Sequence, residues 1–102
     1  MRRKMAETYY RASRFCRVLG NPTAYQILKM LTKGKMTPTD LSNEIGLSIK
    51  TISDVLRNLR QVDLVRYDTF SNRKVYYLKD RAIKKVLRNL ETYADKMRFK
   101  KW

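Results

Sequence analysis

Histidine is absent from the 102 residues. Its absence removes the usual general base, every histidine-containing zinc site and every Ser–His or Cys–His nucleophile pair. The single cysteine, Cys16, can form neither an intramolecular disulfide nor a thiolate metal site alone, and it favours an intracellular setting. Only 3 glycines occur, and none lies in a phosphate-cradling loop. Acidic residues number 9, and Glu44, Asp54, Asp63 and Asp68 suit structural or surface places. No catalytic activity, cofactor or metal is therefore expected. No apolar run approaches a membrane span, so no membrane partner is expected. The basic start Met1-Arg-Arg-Lys-Met5 leads into polar Glu7 and Thr8, unlike a signal peptide.

What is abundant is positive charge. There are 24 Lys and Arg, for a net charge of +15. Such an excess implies a polyanionic partner, nucleic acid before an anionic membrane. Hydrophobic residues make up 43%, enough for one domain spanning 1–102 with a modest core.

The stretch Thr37 to Arg60 predicts two helices joined by a tight turn. Thr37 suits an N-cap, Pro38 the first helical position and Asp40 the third, a variant of the capping box. Leu41 and Ile45 share a face, and Gly46 can take the left-handed conformation that ends the helix. Ser48 caps a second helix whose apolar positions are Ile52, Val55, Leu56 and Leu59. Its other face carries Lys50, Thr51, Ser53, Asp54, Arg57, Asn58 and Arg60. That polar, mostly basic face is what a recognition helix needs in a DNA major groove.

Upstream, residues 6–20 predict a helix with a stripe of Met5, Tyr9, Ala12, Phe15, Cys16 and Leu19. This stripe packs either on the domain's own core or against a second subunit. On an apolar stripe, Cys16 fits a buried inert thiol better than a redox handle. Residues 1–5 form a basic arm, solvated or touching DNA backbone. Gly20 can end the first helix, and Asn21 with Pro22 can start another, lined by Ala24, Ile27, Leu28 and Leu31 up to Lys33-Gly34. Three short helices thus supply a tri-helical helix-turn-helix core, with 37–61 as its motif.

After Arg60 the period shifts toward two. Leu64–Asp68 and Arg73–Leu78 predict strands, linked by Thr69-Phe-Ser-Asn72, with Asn72 suited to positive φ. Together, 64–78 form a wing. Arg73 and Lys74 near its tip either reach DNA or protect an edge strand by charge. Asp80 can cap a last helix over 80–101, with a stripe of Ile83, Val86, Leu87, Leu90, Tyr93, Ala94 and Met97. So long a stripe overruns a small core, and its far end calls for a copy of itself. Lys96, Arg98, Lys100 and Lys101 suit the negative end of the helix dipole or form a solvated tail.

The ordered set Leu19-Gly-Asn-Pro-Thr23, Ile27-Leu28, Leu41, Ile45-Gly-Leu-Ser48, Thr51-Ile-Ser53, Leu56, Leu59-Arg60, Leu64-Val65 and Arg73–Leu78 resembles the ArsR/SmtB-type winged helix-turn-helix repressors. The resemblance implies a mainly α fold with a small β-hairpin. It also implies a homodimer through the first and last helices, a recognition helix over 48–61 and a palindromic double-stranded DNA operator. Ala24, Val55, Asp63 and Asn72 depart from the family's usual Arg, His, Gly and Gly. Metal sensing does not carry over, because Thr39–Asn43 holds no cysteine and the chain holds no histidine.

The function expected is that of a sequence-reading transcription regulator, intracellular and nucleoid-associated. Lys50, Ser53, Asp54, Arg57 and Asn58 are candidates for base edges. Arg57 suits guanine, and Asp54 suits cytosine N4 or an intrahelical pair with Arg57 or Asn58. Thr37, Thr39, Lys50, Thr51, Arg60, Arg66, Arg73 and Lys74 are candidates for phosphates. The candidate dimer interface is Tyr9, Ala12, Phe15, Cys16, Leu19, Ile83, Val86, Leu87, Leu90, Tyr93, Ala94 and Met97. Two alternatives remain, an architectural DNA-coating protein and a winged-helix docking module.

Overall fold

The computed structural model describes residues 4–97. The chain runs α1 (Glu7–Leu19), α2 (Pro22–Leu31), α3 (Pro38–Ile45), α4 (Ile49–Gln61), β1 (Val65–Phe70), β2 (Arg73–Leu78) and α5 (Ala82–Lys96). This is the winged helix-turn-helix architecture. Among the described residues, no helix is long and apolar enough to cross a membrane.

Local chemistry sets most of the boundaries. At α3 the capping box is complete. Thr37 Oγ1 accepts from Asp40 N at 3.0 Å, and Asp40 Oδ2 accepts from Thr37 N at 3.1 Å. Gly46 ends that helix at φ 86°, with its N–H on Ser42 O at 2.8 Å. An L side chain is disfavoured there, so the glycine makes the turn possible. Ser48 Oγ then accepts from Thr51 N at 3.1 Å and opens α4. Asn21 caps α2 through Ala24 N at 3.1 Å. Gly20 ends α1 as expected, without a left-handed turn. It stays right-handed at φ −71°, and the chain leaves α1 through a tight turn closed by Asn21 N on Val18 O.

The end of α4 replaces a glycine with an aspartate. Asp63 sits at φ 64°, its N–H reaches Arg60 O at 2.9 Å, and Leu64 N reaches Leu59 O at 3.0 Å. That is the double bond pattern of a Schellman ending, in which a short polar side chain is the best substitute for glycine.

The strands pair antiparallel from Val65↔Leu78 to Phe70↔Arg73. The link is thus the two residues Ser71-Asn72, shorter than the four-residue connection expected. Both have positive φ, 49° and 65°, the requirement of a type I′ hairpin turn whose twist matches the strands. The connection before α3 also does more than expected. Met36 bridges Tyr76, donating to its carbonyl at 3.1 Å and accepting from its N–H at 2.8 Å, and so extends the sheet edge by one residue.

The core draws on every helix and both strands. Ile27, Leu28, Leu41, Ile52, Leu56, Leu59, Val65 and Leu87 are fully buried. Leu19, Ile83 and Tyr76 join them. Leu19, Ile83 and Leu87 therefore depart from the dimer interface expected of them and pack inside their own subunit. The reason is position. They lie at the ends of α1 and α5 nearest the helix-turn-helix core. Helix α5 is followed to Lys96, short of the expected 101. The expectations for Met1, Arg2, Arg3, Arg98, Lys100 and Lys101 lie outside the described residues.

Candidate nucleic-acid interface

Helix α4 is divided cleanly. Ile52, Leu56 and Leu59 are sealed in the core and Val55 is half-buried. Lys50, Thr51, Arg57, Asn58 and Arg60 are exposed, and Ser53 and Asp54 are half-buried beside them. Burial of one face thus fixes the direction in which the other points. Asp54 lies between two cations, with Oδ1 3.3 Å from the Arg57 guanidinium and Oδ2 3.5 Å from Lys50 Nζ. In the free chain the intrahelical pairing is the one formed, through Arg57 and Lys50 with no bond to Asn58. Such exposed pairs are weak and exchange readily with another partner.

The wing sorts its cations by strand alternation. Lys74 shares a hairpin face with Tyr67 and Tyr76, and its Nζ lies 4.8 Å from the Tyr67 ring centre. Arg60 reaches the same ring from α4, at 5.3 Å. Burial pushes the Tyr76 hydroxyl's pKa up, against the pull of the nearby Arg60 and Arg57 charges. Arg57, Arg60 and Lys74 therefore gather at the seam between α4 and the wing. Arg66 points to the other strand face and pairs with Asp63 at 3.6 Å. Asp63 also accepts from Lys79, and chiefly that bond holds its carboxyl below the usual range.

Arg73 stands at the tip opposite Phe70, which is 57% exposed. Its charge is felt at Asp40, whose carboxyl is lowered first by the backbone N–H of Thr37. Thr37 and Thr39 occupy the N-cap and first turn of α3, where Thr37 is already committed as the cap. Two aromatics with a place at this surface escaped the sequence reading. Tyr67 holds Arg60 and Lys74, and Tyr77 lies 5.1 Å from Lys35 Nζ. The available signal was the alternation of Tyr with Lys and Arg along the hairpin.

A second surface lies on the terminal helices. Tyr9 is 71% and Tyr93 65% exposed, and Tyr10, Val86, Leu90 and Met97 are exposed too. Phe15 is half-buried, and Ala12 and Ala94 are exposed. Cys16 is exposed, which corrects the expectation of a buried thiol. The α1 stripe meets its own core only near Phe15, Val18 and Leu19. Between α1, α2 and α5 lies an open, mostly apolar cleft of about 440 Å³, bordered by Cys16, Leu19, Tyr25, Leu90, Tyr93 and Met97.

Along that cleft Tyr25 Oη donates to Glu91 Oε2 at 2.6 Å, and Lys29 Nζ bonds Glu91 Oε1 at 3.1 Å. Burial first, then the Glu91 bond and charge, push Tyr25 up to about 12. The bond from Tyr25, followed by Lys29, lowers Glu91. Among the described residues no cluster of three or more His, Cys, Asp and Glu could hold a metal.

The model of the bacterial regulatory proteins of the ArsR family matches residues 21–67. No curated protein matches the chain. Among solved structures, HlyU from Vibrio cholerae is 25% identical, with a TM-score of 0.79 over 87% of this chain and 97% of that one. NolR from Sinorhizobium fredii is 27% identical, with a TM-score of 0.78 over 91% and 96%. The homodimeric winged helix-turn-helix DNA-binding domain Mb0332 from Mycobacterium bovis is 20% identical, with a TM-score of 0.78 over 93% and 91%.

Proposed function

Residues 21–67 carry an ArsR-family helix-turn-helix domain, and from that premise we propose that the protein is a homodimeric, sequence-specific regulator of transcription that reads double-stranded DNA. Helix α4 enters the major groove. Lys50, Ser53, Asp54, Arg57 and Asn58 face base edges. Thr37, Thr39, Thr51, Arg60, Arg73 and Lys74 contact phosphates, with Arg66 at the flank. Its site of action is the nucleoid, inside the cell. The observation that carries this reading is the division of α4, with Ile52, Leu56 and Leu59 at 0% exposure and the basic side exposed.

The two subunits meet through Tyr9, Ala12, Phe15 and Cys16 of α1 and Val86, Leu90, Tyr93, Ala94 and Met97 of α5. All of these side chains but half-buried Phe15 are exposed, and the similar Mb0332 domain is homodimeric. Two-fold symmetry puts the recognition helices in successive major grooves, about 34 Å apart.

Selection from a pool of random duplexes tests this. The expected result is a palindromic consensus with half-sites one helical turn apart. Recovery of the starting pool without a consensus sinks the reading. One observation favours an architectural role instead, the net charge of +15. A specific-to-random affinity ratio above about a thousand at fixed salt supports the regulator, and a ratio near one supports the architectural protein.

A further inference from the structure

We infer that Tyr67 is a positioning residue that joins Arg60 of the recognition helix and Lys74 of the wing into one composite site for DNA backbone phosphate. The inference rests on the regulator reading and adds a residue and a division of labour to it. The two cations come from different elements yet reach the same ring, Arg60 Cζ at 5.3 Å and Lys74 Nζ at 4.8 Å from its centre. Both distances fall within the reach of cation–π attraction.

The ring is itself held. It packs on Tyr76 with centres 5.2 Å apart and planes tilted 49°. Tyr76 is buried and bonded through its backbone to Met36 in both directions. The platform is therefore part of the core, and the cations are the exposed ends of it.

Charge pairing separates this pair from most of the cations around it. Arg73 is likewise without a carboxylate partner among the described residues, but it stands on the opposite hairpin face from Tyr67. Lys50 and Arg57 share Asp54, Arg66 and Lys79 share Asp63, and Lys35 lies beside Asp68. Among the described residues, Arg60 and Lys74 have no carboxylate partner. An aromatic face orients a cation without neutralising it, so both charges stay available to an anion. Prior orientation also lowers the ordering cost when the anion arrives. Phosphate suits both a guanidinium and a compact ammonium, and it is the anion that a DNA backbone presents. Because the two cations span helix and wing, one stretch of backbone is gripped from both elements at once.

The test measures duplex affinity across a salt series for the parent, Tyr67→Phe, Tyr67→Leu and Arg60→Gln, and for Tyr67→Leu combined with Arg60→Gln. Tyr67→Phe keeps the ring face, and its affinity is expected within about twofold of the parent. Tyr67→Leu keeps apolar contact with Tyr76 but loses the face, and about a fivefold loss is expected. The Arg60→Gln penalty should shrink severalfold in the Tyr67→Leu background, which is the mark of coupled residues. Penalties that simply multiply overturn the composite site while leaving the regulator reading intact. A parent that binds no duplex at moderate salt overturns both. Should thermal unfolding show that Tyr67→Leu does not fold, the cycle of Arg60→Gln with Lys74→Met decides. A combined loss smaller than the product supports the shared site, and a full product overturns it.

Discussion

Helices α4 and α5 carry similar apolar stripes and meet different fates. The stripe of α4 goes into its own subunit, with Ile52, Leu56 and Leu59 fully buried and Val55 half-buried against them. The stripe of α5 divides along its length. Ile83 and Leu87 enter the core, whereas Leu90 and Tyr93, about one and two turns further on, stay 41% and 65% exposed. Helix α1 mirrors this, with Leu19 inside and Tyr9 outside. Amphipathic periodicity therefore states that a face will be covered but leaves the covering element open. In α4 the cover is intramolecular and the polar face stays outside. In α1 and α5 the outer part of the apolar face itself stays exposed.

Substitutions can break this comparison, the strongest first. Leu56→Ala opens a cavity in a fully buried site and should cost about 2–5 kcal/mol in chemical denaturation, at any protein concentration. Leu90→Ala should leave monomer unfolding nearly unchanged at low concentration. A large loss there would show that α5 is an ordinary core helix and erase the contrast. Tyr93→Ala should weaken self-association by about 2 kcal/mol, the size of an aromatic hot spot, read by sedimentation equilibrium. An unshifted dimer constant would remove Tyr93 from the subunit contact. Arg57→Ala tests the other helix. It should relax preference at one base position by about 1–3 kcal/mol, read by competition among single-base operator variants, with unfolding unaffected.

The smallest effect sharpens the point at which the α5 stripe leaves the core. Tyr25→Phe removes the hydroxyl bond to Glu91 and should cost about 0.5–1.5 kcal/mol near neutral pH. The pH dependence has a definite sign. Glu91 is lowered in the folded chain, so its contribution is present above its ordinary value and fades as pH falls through the folded one. Tyr25 is raised to about 12, so its contribution is full below 10.0 and fades as pH climbs toward that value. Tyr25→Phe should flatten both limbs of the stability profile. Unchanged limbs would show that the bond carries no net stability.

Much of the fold was legible because its signals are local. The capping box of Thr37 and Asp40, the left-handed Gly46, the Ser48 cap and the positive φ of Asp63 and Asn72 all involve neighbours within a few residues. The outward face of α4 followed from spacing alone. The surroundings of the candidate interface were less legible. Tyr25 and Glu91 are 66 positions apart, and Met36 and Tyr76 are 40 apart in their backbone bridge. Arg60 and Lys74 meet only through Tyr67 on a folded hairpin.

Local sequence signals by themselves marked most helix boundaries and the apolar side of each element, because caps, turn residues and periodicity act over one or two turns of chain. The strand ends at the hairpin and the bounds of α5 were not among those boundaries. Only the tertiary structure decided which of those apolar sides are satisfied within the subunit. It also decided that Leu19, Ile83 and Leu87 go inward while Tyr9 and Tyr93 stay out, and that Cys16 faces solvent. Burial depends on how far the core extends along each helix, and that reach is set by contacts between elements distant in sequence.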